Sequence, residues 1–432
     1  MNKNKTLLMS SSLLLLMAIA LIHLFKSTTV ISYTVTFIIS SLIYLFISWK
    51  VFKTEIPTQH IYFLIALAFL LRLSFLNTSP IGSDDIYRYM WDGKIQASGI
   101  NPYQYPPNDE HLNYFHTTLL PKALNFQEMK TIYFPLSQWL FYTGYKLSDE
   151  SVWGYKLLLF LFELLTLAGL FQLLKKLKID FKYLLLYVLC PLPIFQFAID
   201  AHLDGFGLPL MLFSLFLYFD KKKISALILL GLSLSIKPVG LLLIPIFFLN
   251  EKNLMDKLKT VLVPLTAFFT QFIFYIFSTN PFEALFIFTK NWYFNGFVFN
   301  LLNEVFSNNQ TARLICAILL VLSLIPVYFS KREFLNKIYL AVLLLMILSP
   351  VVHPWYITWV AVLIPFAQKR SGIYFAAASS LTAITVLNYQ INGVWKDYWF
   401  VLIIEYVPLL FLLFTELSNK SVLNRLRPST NG

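Results

Sequence analysis

The segment IYFLIALAFLLRLSFL (residues 61–76) contains a single charge, and the polar stretch GSDDIYRYMWDGKIQASGINPYQYP (residues 82–106) follows it closely. Apolar runs of about 18 or more residues recur along the chain, and each is long enough to cross a bilayer as a helix. These runs lack the period-two alternation of barrel strands. The sequence therefore predicts an all-α, polytopic bundle of transmembrane helices.

The charge and cysteine content fit a membrane protein. The formal net charge is +12 and 58% of the 432 residues are hydrophobic. Most basic residues form short clusters between apolar runs, so the positive-inside rule explains them and a nucleic-acid partner is not expected. Cys190 and Cys316 both lie in apolar runs, which argues against a disulfide framework or a cysteine metal site.

The apolar runs give fourteen candidate spans, several of which are too short to cross alone as ideal helices. They lie near residues 6–25, 29–49, 59–76, 152–174, 183–199, 206–219, 224–236, 240–250, 260–277, 312–329, 337–352, 356–367, 372–388 and 400–417. The pairs 224–236 with 240–250 and 337–352 with 356–367 are candidates for re-entrant or tilted hairpins. We therefore expect about eleven to fourteen membrane helices.

The N-terminal segment MNKNKTLLMSSSLLLLMAIALIHLF (residues 1–25) is similar to a signal peptide. Its apolar run is long, however, and the small-residue sequence Ala18-Ile19-Ala20 lies inside that run. This arrangement favours an uncleaved first helix.

The basic residues also predict the orientation of the chain. If the N-terminus is cytoplasmic, most of the 34 lysines and arginines fall in cytoplasmic loops, as the positive-inside rule requires. Four polar clusters then lie on the outer face, at residues 82–106, 200–204, 291–300 and 353–356. The longest outer loop, about 77–151, is rich in Pro, Asn and aromatic residues and is expected to hold short interfacial helices.

Asp84 and Asp85 are the leading candidates for chemistry because a carboxylate held at a membrane face costs free energy. Either could take a proton from a hydroxyl group as a general base. The alternative is that Ser83, Asp84 and Asp85 start and cap a helix. The two interpretations are compatible, with one residue capping and the other facing a site, and Asp85 is the first choice as base.

A helix over residues 86–96 would place Arg88 and Asp92 four residues apart and put Tyr89 on the same stripe as Asp85. Arg88 could bind a phosphate through its planar guanidinium group. A simple intrahelical ion pair is the competing interpretation, and it is favoured for Asp92.

Three later segments hold further candidates for substrate binding, which are His202 and Asp204, Lys237, and His353 with Trp355 and Tyr356. The pair of His202 and Asp204 could bind sugar hydroxyls, a phosphate or a metal, or belong to an ordinary polar turn; one histidine alone is no metal site. Lys237 lies beside the helix-breaking Pro238, where a phosphate contact and snorkelling to the surface are both open. Aromatic rings near His353 could stack on sugars or anchor the membrane interface.

Several of these segments resemble those of a known family. DIYRYMWDG (residues 85–93) and GINPY (residues 99–103) are similar to the first outer loop of GT-C polyprenol-phosphate-sugar-dependent glycosyltransferases. Within that superfamily the resemblance is to polyprenol-phosphate-mannose-dependent mannosyltransferases, including the GPI mannosyltransferase type. The motifs HLDG (202–205), SIKP (235–238), NWYFNG (291–296), SPVVHPWY (349–356) and EYVP (405–408) follow in the same order.

The resemblance implies a domain organisation. Residues 1–58 would form two extra N-terminal helices, and residues 59–417 a GT-C-type core with the catalytic loop at 77–151 on the outside. Residues 418–432 would be a basic cytoplasmic tail. In EYVP, Glu405 is interpreted as structural.

The resemblance also implies an activity. A hexose, expected to be mannose, would pass with inversion from a polyprenyl-phosphate donor to a lipid or glycan acceptor outside a bacterial cytoplasmic membrane. Asp85, or Asp84, would be the base, and no cofactor or metal is indicated. The alternatives are a transporter or flippase of a lipid-linked sugar, which would place its charges near the bilayer midplane, and a non-catalytic scaffold.

Overall fold

The computed structural model describes residues 3–24, 29–275 and 280–418, and in this part of the chain the regular structure is helical apart from isolated β-bridges. The first ten α-helices are α1 (Lys3–Leu24), α2 (Val30–Lys53), α3 (Thr58–Ser74), α4 (Asp85–Ala97), α5 (Pro135–Ser148), α6 (Val152–Lys176), α7 (Leu185–Val188), α8 (Pro191–Pro193), α9 (Asp204–Phe219) and α10 (Lys223–Leu234). The remaining helices are α11 (Ile244–Asn250), α12 (Leu254–Phe269), α13 (Glu283–Asn291), α14 (Phe297–Phe306), α15 (Asn309–Phe329), α16 (Phe334–Leu348), α17 (Pro354–Ala361), α18 (Ile364–Ala367), α19 (Arg370–Ala378), α20 (Ala383–Asn392) and α21 (Trp399–Ser418). Short 3₁₀ turns lie at Glu110–Phe115, Phe181–Leu184, Pro238–Leu242, Thr270–Phe274 and Ser379–Thr382, and a π-helical turn lies at Ile194–Ile199.

The chain is an integral, multi-pass membrane protein, and the predicted all-α polytopic bundle is confirmed. Each predicted span coincides with a helical segment. Within the described residues, seven helical segments are long and apolar enough to cross a membrane, or eight if the bent pair Phe181–Val188 and Pro191–Ile199 counts as one span. The other apolar helices have 10–17 residues, so length alone supports fewer spans than the eleven to fourteen predicted.

The bent pair Phe181–Val188 and Pro191–Ile199 shows how a proline changes the direction of the chain. Pro191 has no N–H group and disfavours a helical conformation at Cys190, which is extended, so the helix breaks there with a bend of 49°. The second half ends at Asp200, and Ala201 turns the chain in the left-handed region with φ of 61°. The break therefore places Asp200 and His202 against the segment that carries Ile81, Gly82 and Asp85.

The predicted outer loop contains the expected short helices. In α4, Asp85 lies in the first turn, where a carboxylate suits the helix dipole, and Gly99 ends the helix with φ of +80°. The N–H of Ile100 donates to the carbonyl of Ile95 at 3.1 Å, which closes this C-terminal turn. Helix α4 packs on α5, and α5 packs on α6, so the loop is a folded layer on the membrane helices.

Two contacts join distant segments beneath the cavity. The Lys156 ammonium donates to the carbonyls of Thr78 and Ile199, both at 2.7 Å, which ties the loop after α3 to the end of the bent pair. Phe294 forms a β-bridge with Val351, and Val352 N donates to the Phe294 carbonyl at 2.8 Å. The NWYFNG and SPVVHPWY motifs are therefore held side by side.

The N-terminal helices are part of this assembly. Helix α2 packs against α1, α19 and α20, and its side chains Tyr33 and Phe37 line the cavity. The proposed division of the chain at residue 58 stays a prediction. The basic tail falls on residues 419–432, outside the described residues.

Candidate active site

The four polar clusters predicted for the outer face meet around one cavity of about 1020 Å³. Its wall includes Asp84 and Asp85 from the first cluster, Leu203 from the second, Phe294 from the third and His353 from the fourth. The predicted convergence of these clusters is therefore seen in the structure. Their placement on the outer side of the membrane stays a prediction.

Asp85 faces the cavity from the first turn of α4. Its side chain is 34% exposed, and its Oδ2 lies 3.4 Å from Nδ1 of His202, which is fully buried. Burial raises the pKa of Asp85, but the nearby His202, His353 and Lys237 outweigh it and bring this pKa below its usual value. Asp85 is therefore ionised at neutral pH and able to accept a proton.

Asp84 is the N-cap residue of α4, as the helix-start interpretation predicted, but its side chain makes no capping hydrogen bond. The Ser83 hydroxyl instead accepts from the N–H of Asp85 at 3.3 Å. Because Asp84 precedes the first helical residue, both aspartates line the cavity. Burial, followed by repulsion from Asp85, raises the pKa of Asp84 to about 6.

Two histidines sandwich Trp355 behind Asp85. The ring of His202 stacks on Trp355 at 3.6 Å between centroids, and Trp355 stacks on His353 at 4.2 Å. In the described part of the chain neither ring nitrogen of His202 makes a hydrogen bond, and its buried imidazole faces Asp85. His202 is not itself part of the cavity wall, so a direct substrate contact by this residue stays a prediction. Burial lowers the pKa of His353 to about 3, which keeps this ring neutral.

Lys237 brings a positive charge to the same wall. Its ammonium lies 3.6 Å from Oδ2 of Asp204 and 3.8 Å from the centroid of the Tyr356 ring. Burial lowers the pKa of Lys237, but Asp204 and Tyr356 outweigh it and the net shift is upward. Asp204 is itself fixed by the indole N–H of Trp359 at 2.7 Å. A charged lysine pointing to the cavity is suited to an anionic group.

The three candidate residues of α4 differ in their relation to the cavity: Arg88 lines it, and Tyr89 and Asp92 do not. Arg88 lines the cavity, yet its guanidinium donates to Asp92 at 2.9 Å and to the Met129 carbonyl at 2.9 Å. The ion pair favoured for Asp92 is therefore present. Tyr89 is buried against Phe141, and neither Tyr89 nor Asp92 is part of the cavity wall. Direct substrate contacts by these two residues stay predictions, as does the contact predicted for Asp204, which lies behind Lys237.

The loop before Asp84 is clamped from below. The Asp200 carboxylate accepts from the N–H groups of Ile81 at 3.0 Å and Gly82 at 2.8 Å, and from the Tyr33 hydroxyl at 2.5 Å. A Cβ atom on Gly82 would lie 2.5 Å from the Tyr33 hydroxyl, so the loop fits here only with glycine. Asp200 and Tyr33 therefore fix the backbone that presents both candidate bases.

Comparison with known families assigns the chain. Residues 7–251 match the family model described as alpha-(1->6)-mannopyranosyltransferase, N-terminal domain, which is more than half of the chain. The chain belongs to this family. Residues 295–415 match the model described as MptB C-terminal domain. No curated protein and no solved structure matches the chain significantly.

The mannosyltransferase assignment agrees with the resemblance to GT-C mannosyltransferases and with the prediction of an enzyme. It favours transfer over the transporter and scaffold alternatives. The two matched regions together contain Asp84, Asp85, His202, Lys237 and His353. The roles of these residues stay predictions.

Some cavity residues of this mannosyltransferase were missed at the sequence level. Tyr33 lines the cavity but lies in an apolar helix, where a tyrosine is usually interpreted as an anchor at the membrane interface. Asp397 and Trp395 lie in a short connection between two helices, and only the polar and aromatic content of residues 395–398 could have marked it. Glu405, interpreted as structural, accepts from the Asn295 side chain at 2.7 Å inside the bundle.

Within the described residues, no three His, Cys, Asp or Glu side chains form a group that could hold a metal ion. The expectation that the mannosyltransferase uses no metal or cofactor stays a prediction.

Replacing Asp200 should slow the enzyme by displacing the loop that presents Asp85. We expect Asp200→Ala to lower kcat by roughly 10- to 100-fold, since small displacements of reacting groups cost about that much. Asp200→Asn should recover most of the loss, because its amide oxygen can still accept both backbone N–H groups. The effect is measured as the transfer rate of purified variants whose size-exclusion profiles match that of the wild type. Asp180→Ala, at an exposed position, is the control. A wild-type kcat for Asp200→Ala would refute the clamp.

Proposed function

We propose that the protein transfers a mannosyl residue from a polyprenyl-phosphate mannose donor to a hydroxyl group of a lipid-linked or glycan acceptor, forming an alpha-(1->6) linkage with Asp85 as general base. The linkage follows the description of the matching family. The observation that supports the chemistry best is an ionised carboxylate, Asp85, facing the same cavity as a charged lysine, Lys237. The distribution of basic residues supports an acceptor on the outer face of the membrane, which we propose to be a bacterial cytoplasmic membrane.

The cavity suits a donor that is half lipid and half sugar phosphate. Its wall reaches membrane helices through Phe37 of α2 and Leu402 of α21, where a polyprenyl chain could enter from the bilayer. Lys237 and Arg88 line the polar part and would neutralise the phosphate. The sugar would then lie between these cations and Asp85.

The reaction is a single displacement at the anomeric carbon. Asp85 takes the proton of the acceptor hydroxyl as its oxygen forms a bond to C1 of the mannosyl group. The bond between C1 and the phosphate oxygen breaks, and its electron pair leaves with polyprenyl phosphate. Because that phosphate is a weak base, no general acid is required; Lys237 and Arg88 would stabilise its developing charge.

The stereochemistry follows from this step. One displacement inverts the anomeric centre, so an alpha-linked product requires a donor in which mannose is beta-linked to phosphate. A double displacement through Asp85 would retain the configuration and would need an alpha-linked donor.

Removing the carboxylate of Asp85 should abolish most of the transfer. We expect Asp85→Asn to reduce kcat by about 10²- to 10⁴-fold, the usual contribution of a general base. The measurement uses protein in liposomes with radiolabelled polyprenyl-phosphate mannose and a membrane lipid extract as acceptor. Asp109→Asn, in the same loop but away from the cavity wall, is the matched control. Full activity of Asp85→Asn combined with loss in Asp84→Asn would move the base to Asp84.

The pH dependence separates the two aspartates independently of mutation. A base must be deprotonated, so activity falls as the pH drops through its pKa. With Asp85 as base, whose pKa is below its usual value near 4, kcat/KM should stay level from pH 7 down to about pH 5. With Asp84 as base, whose pKa is about 6, kcat/KM would already fall about tenfold between pH 7 and pH 5. Transfer rates in a series of buffers at constant ionic strength decide between these profiles.

A further inference from the structure

The cavity extends beyond Asp85 and Lys237 into a second region of different chemistry. We call it the acidic arm and define it by Asn300, Asn303 and Glu304 of α14 with Trp395 and Asp397 from the connection between α20 and α21. All of these side chains line the same cavity as Asp85. The proposed mechanism uses none of them.

A row of stacked rings connects the acidic arm to the candidate base. Phe294 stacks on His353 at 4.7 Å between centroids and contacts Trp395 at 4.9 Å. Trp395 is 45% exposed, and Tyr389 contacts its ring at 5.6 Å. Since His353 also stacks on Trp355 beside His202, one aromatic wall runs from Asp85 to Trp395.

Asp397 is held in place by a buried network. Its Oδ2 accepts from the N–H of Asn295 at 3.0 Å and from the Asn300 side chain at 2.8 Å. Asn295 is buried in the left-handed region with φ of 53°, and Glu405 and Tyr406 of α21 bind its side chain and carbonyl, each at 2.7 Å. Within the described residues both hydrogen bonds to Asp397 end on Oδ2, which leaves Oδ1 for a ligand. Burial raises the pKa of Asp397.

The support of Asp397 gives the EYVP motif a role that its sequence did not reveal. Hydrogen bonds from Asn295 to Glu405 and from Tyr406 to Asn295 hold Asn295 in an otherwise unfavourable backbone conformation. The N–H of Asn295 in turn orients Asp397. Gly296 permits its own segment to lie close to the backbone at Ser349, because a Cβ atom on residue 296 would lie 2.6 Å from the Ser349 carbonyl oxygen.

The charges of the acidic arm argue against a phosphate as its ligand. Asp397 and Glu304 would repel an anion, and Glu304 is fixed by the indole N–H of Trp399 at 2.9 Å. Lys396 also lines the cavity, but it is exposed and lies over the Tyr398 ring at 5.0 Å. In the proposed function the donor phosphate lies near Lys237 and Arg88, which are not part of the acidic arm.

Uncharged pyranose rings fit the chemistry of the acidic arm. Carboxylate and amide side chains can each accept hydrogen bonds from sugar hydroxyls, and amides can also donate. The C–H face of a pyranose packs on an exposed aromatic ring such as Trp395. A pocket with a few fixed polar groups and aromatic walls is the general form of a specific ligand site.

We propose that the acidic arm is the subsite for the acceptor glycan, where it binds uncharged sugar residues beyond the one whose hydroxyl reacts. This inference rests on the proposed function, since the reacting hydroxyl must reach Asp85. The enzyme would therefore prefer an acceptor of at least two or three sugar units over a single sugar.

Binding without turnover tests the acidic arm directly. Full-length protein in nanodiscs is mixed with alpha-(1->6)-linked mannotriose, and saturation transfer from protein to sugar is recorded by NMR. Wild type and the control Val394→Ala, at an exposed neighbouring position outside the cavity wall, should show transfer. Trp395→Ala and Asp397→Asn should weaken binding about tenfold, the effect of losing one good contact, and Trp395→Tyr should restore much of it.

Kinetics then separates this proposal from the proposed function. With polyprenyl-phosphate mannose as donor, Trp395→Ala should raise KM for the mannotriose acceptor about tenfold and change KM for the donor less than twofold. Mannotriose binding that is absent in wild type, or unchanged in Trp395→Ala and Asp397→Asn, would overturn the acidic arm. Mannotriose binding that depends on Trp395 without transfer from this donor would support the arm and overturn the proposed donor.

Discussion

An ionised carboxylate beside a bilayer is costly unless nearby positive charge and hydrogen-bond donors compensate it. Asp85 meets this constraint by facing His202 and attracting Lys237 across the same cavity. Each of these partners comes from a different part of the chain, so the site exists only when the bundle is assembled. The positive charge of Lys237 that stabilises Asp85 is also what the proposed phosphate-linked donor needs, since it can stabilise a departing phosphate.

Several membrane helices are interrupted near the site, and the interruptions position the side chains of the site. The proline break at Pro191 delivers His202, the break at Pro238 presents Lys237, and Pro354 starts the helix that carries Tyr356. Backbone freed by such breaks has to be satisfied inside the protein. Asp200 does so for the loop before Asp84, and Lys156 does so for the loop after α3. The polar groups that support the site are therefore also those that satisfy its irregular backbone.

Much of the fold could be predicted because apolar length is a strong signal. The spans were located by hydrophobicity, the helix over residues 86–96 by its start and its terminal Gly99, and the meeting of four clusters by the distribution of lysines and arginines. Tyr33 and Asp397 could not be found this way. Their positions depend on how α2 and α21 pack against the rest, and one sequence contains no periodic signal for contacts between residues 167 positions apart, such as Tyr33 and Asp200. For the same reason the sequence could not show that Tyr89 and Asp92 lie behind the cavity wall.

In the proposed complex one cavity holds the donor phosphate at Lys237 and its mannose beside Asp85. A cryo-EM structure of the protein in nanodiscs with a non-transferable phosphonate analogue of polyprenyl-phosphate mannose would show whether it does. We expect phosphonate density within contact of Lys237, the anomeric carbon facing Asp85, and the lipid chain leaving between α2 and α21. Phosphonate density in the acidic arm, or a mannose turned away from Asp85, would contradict the proposed complex.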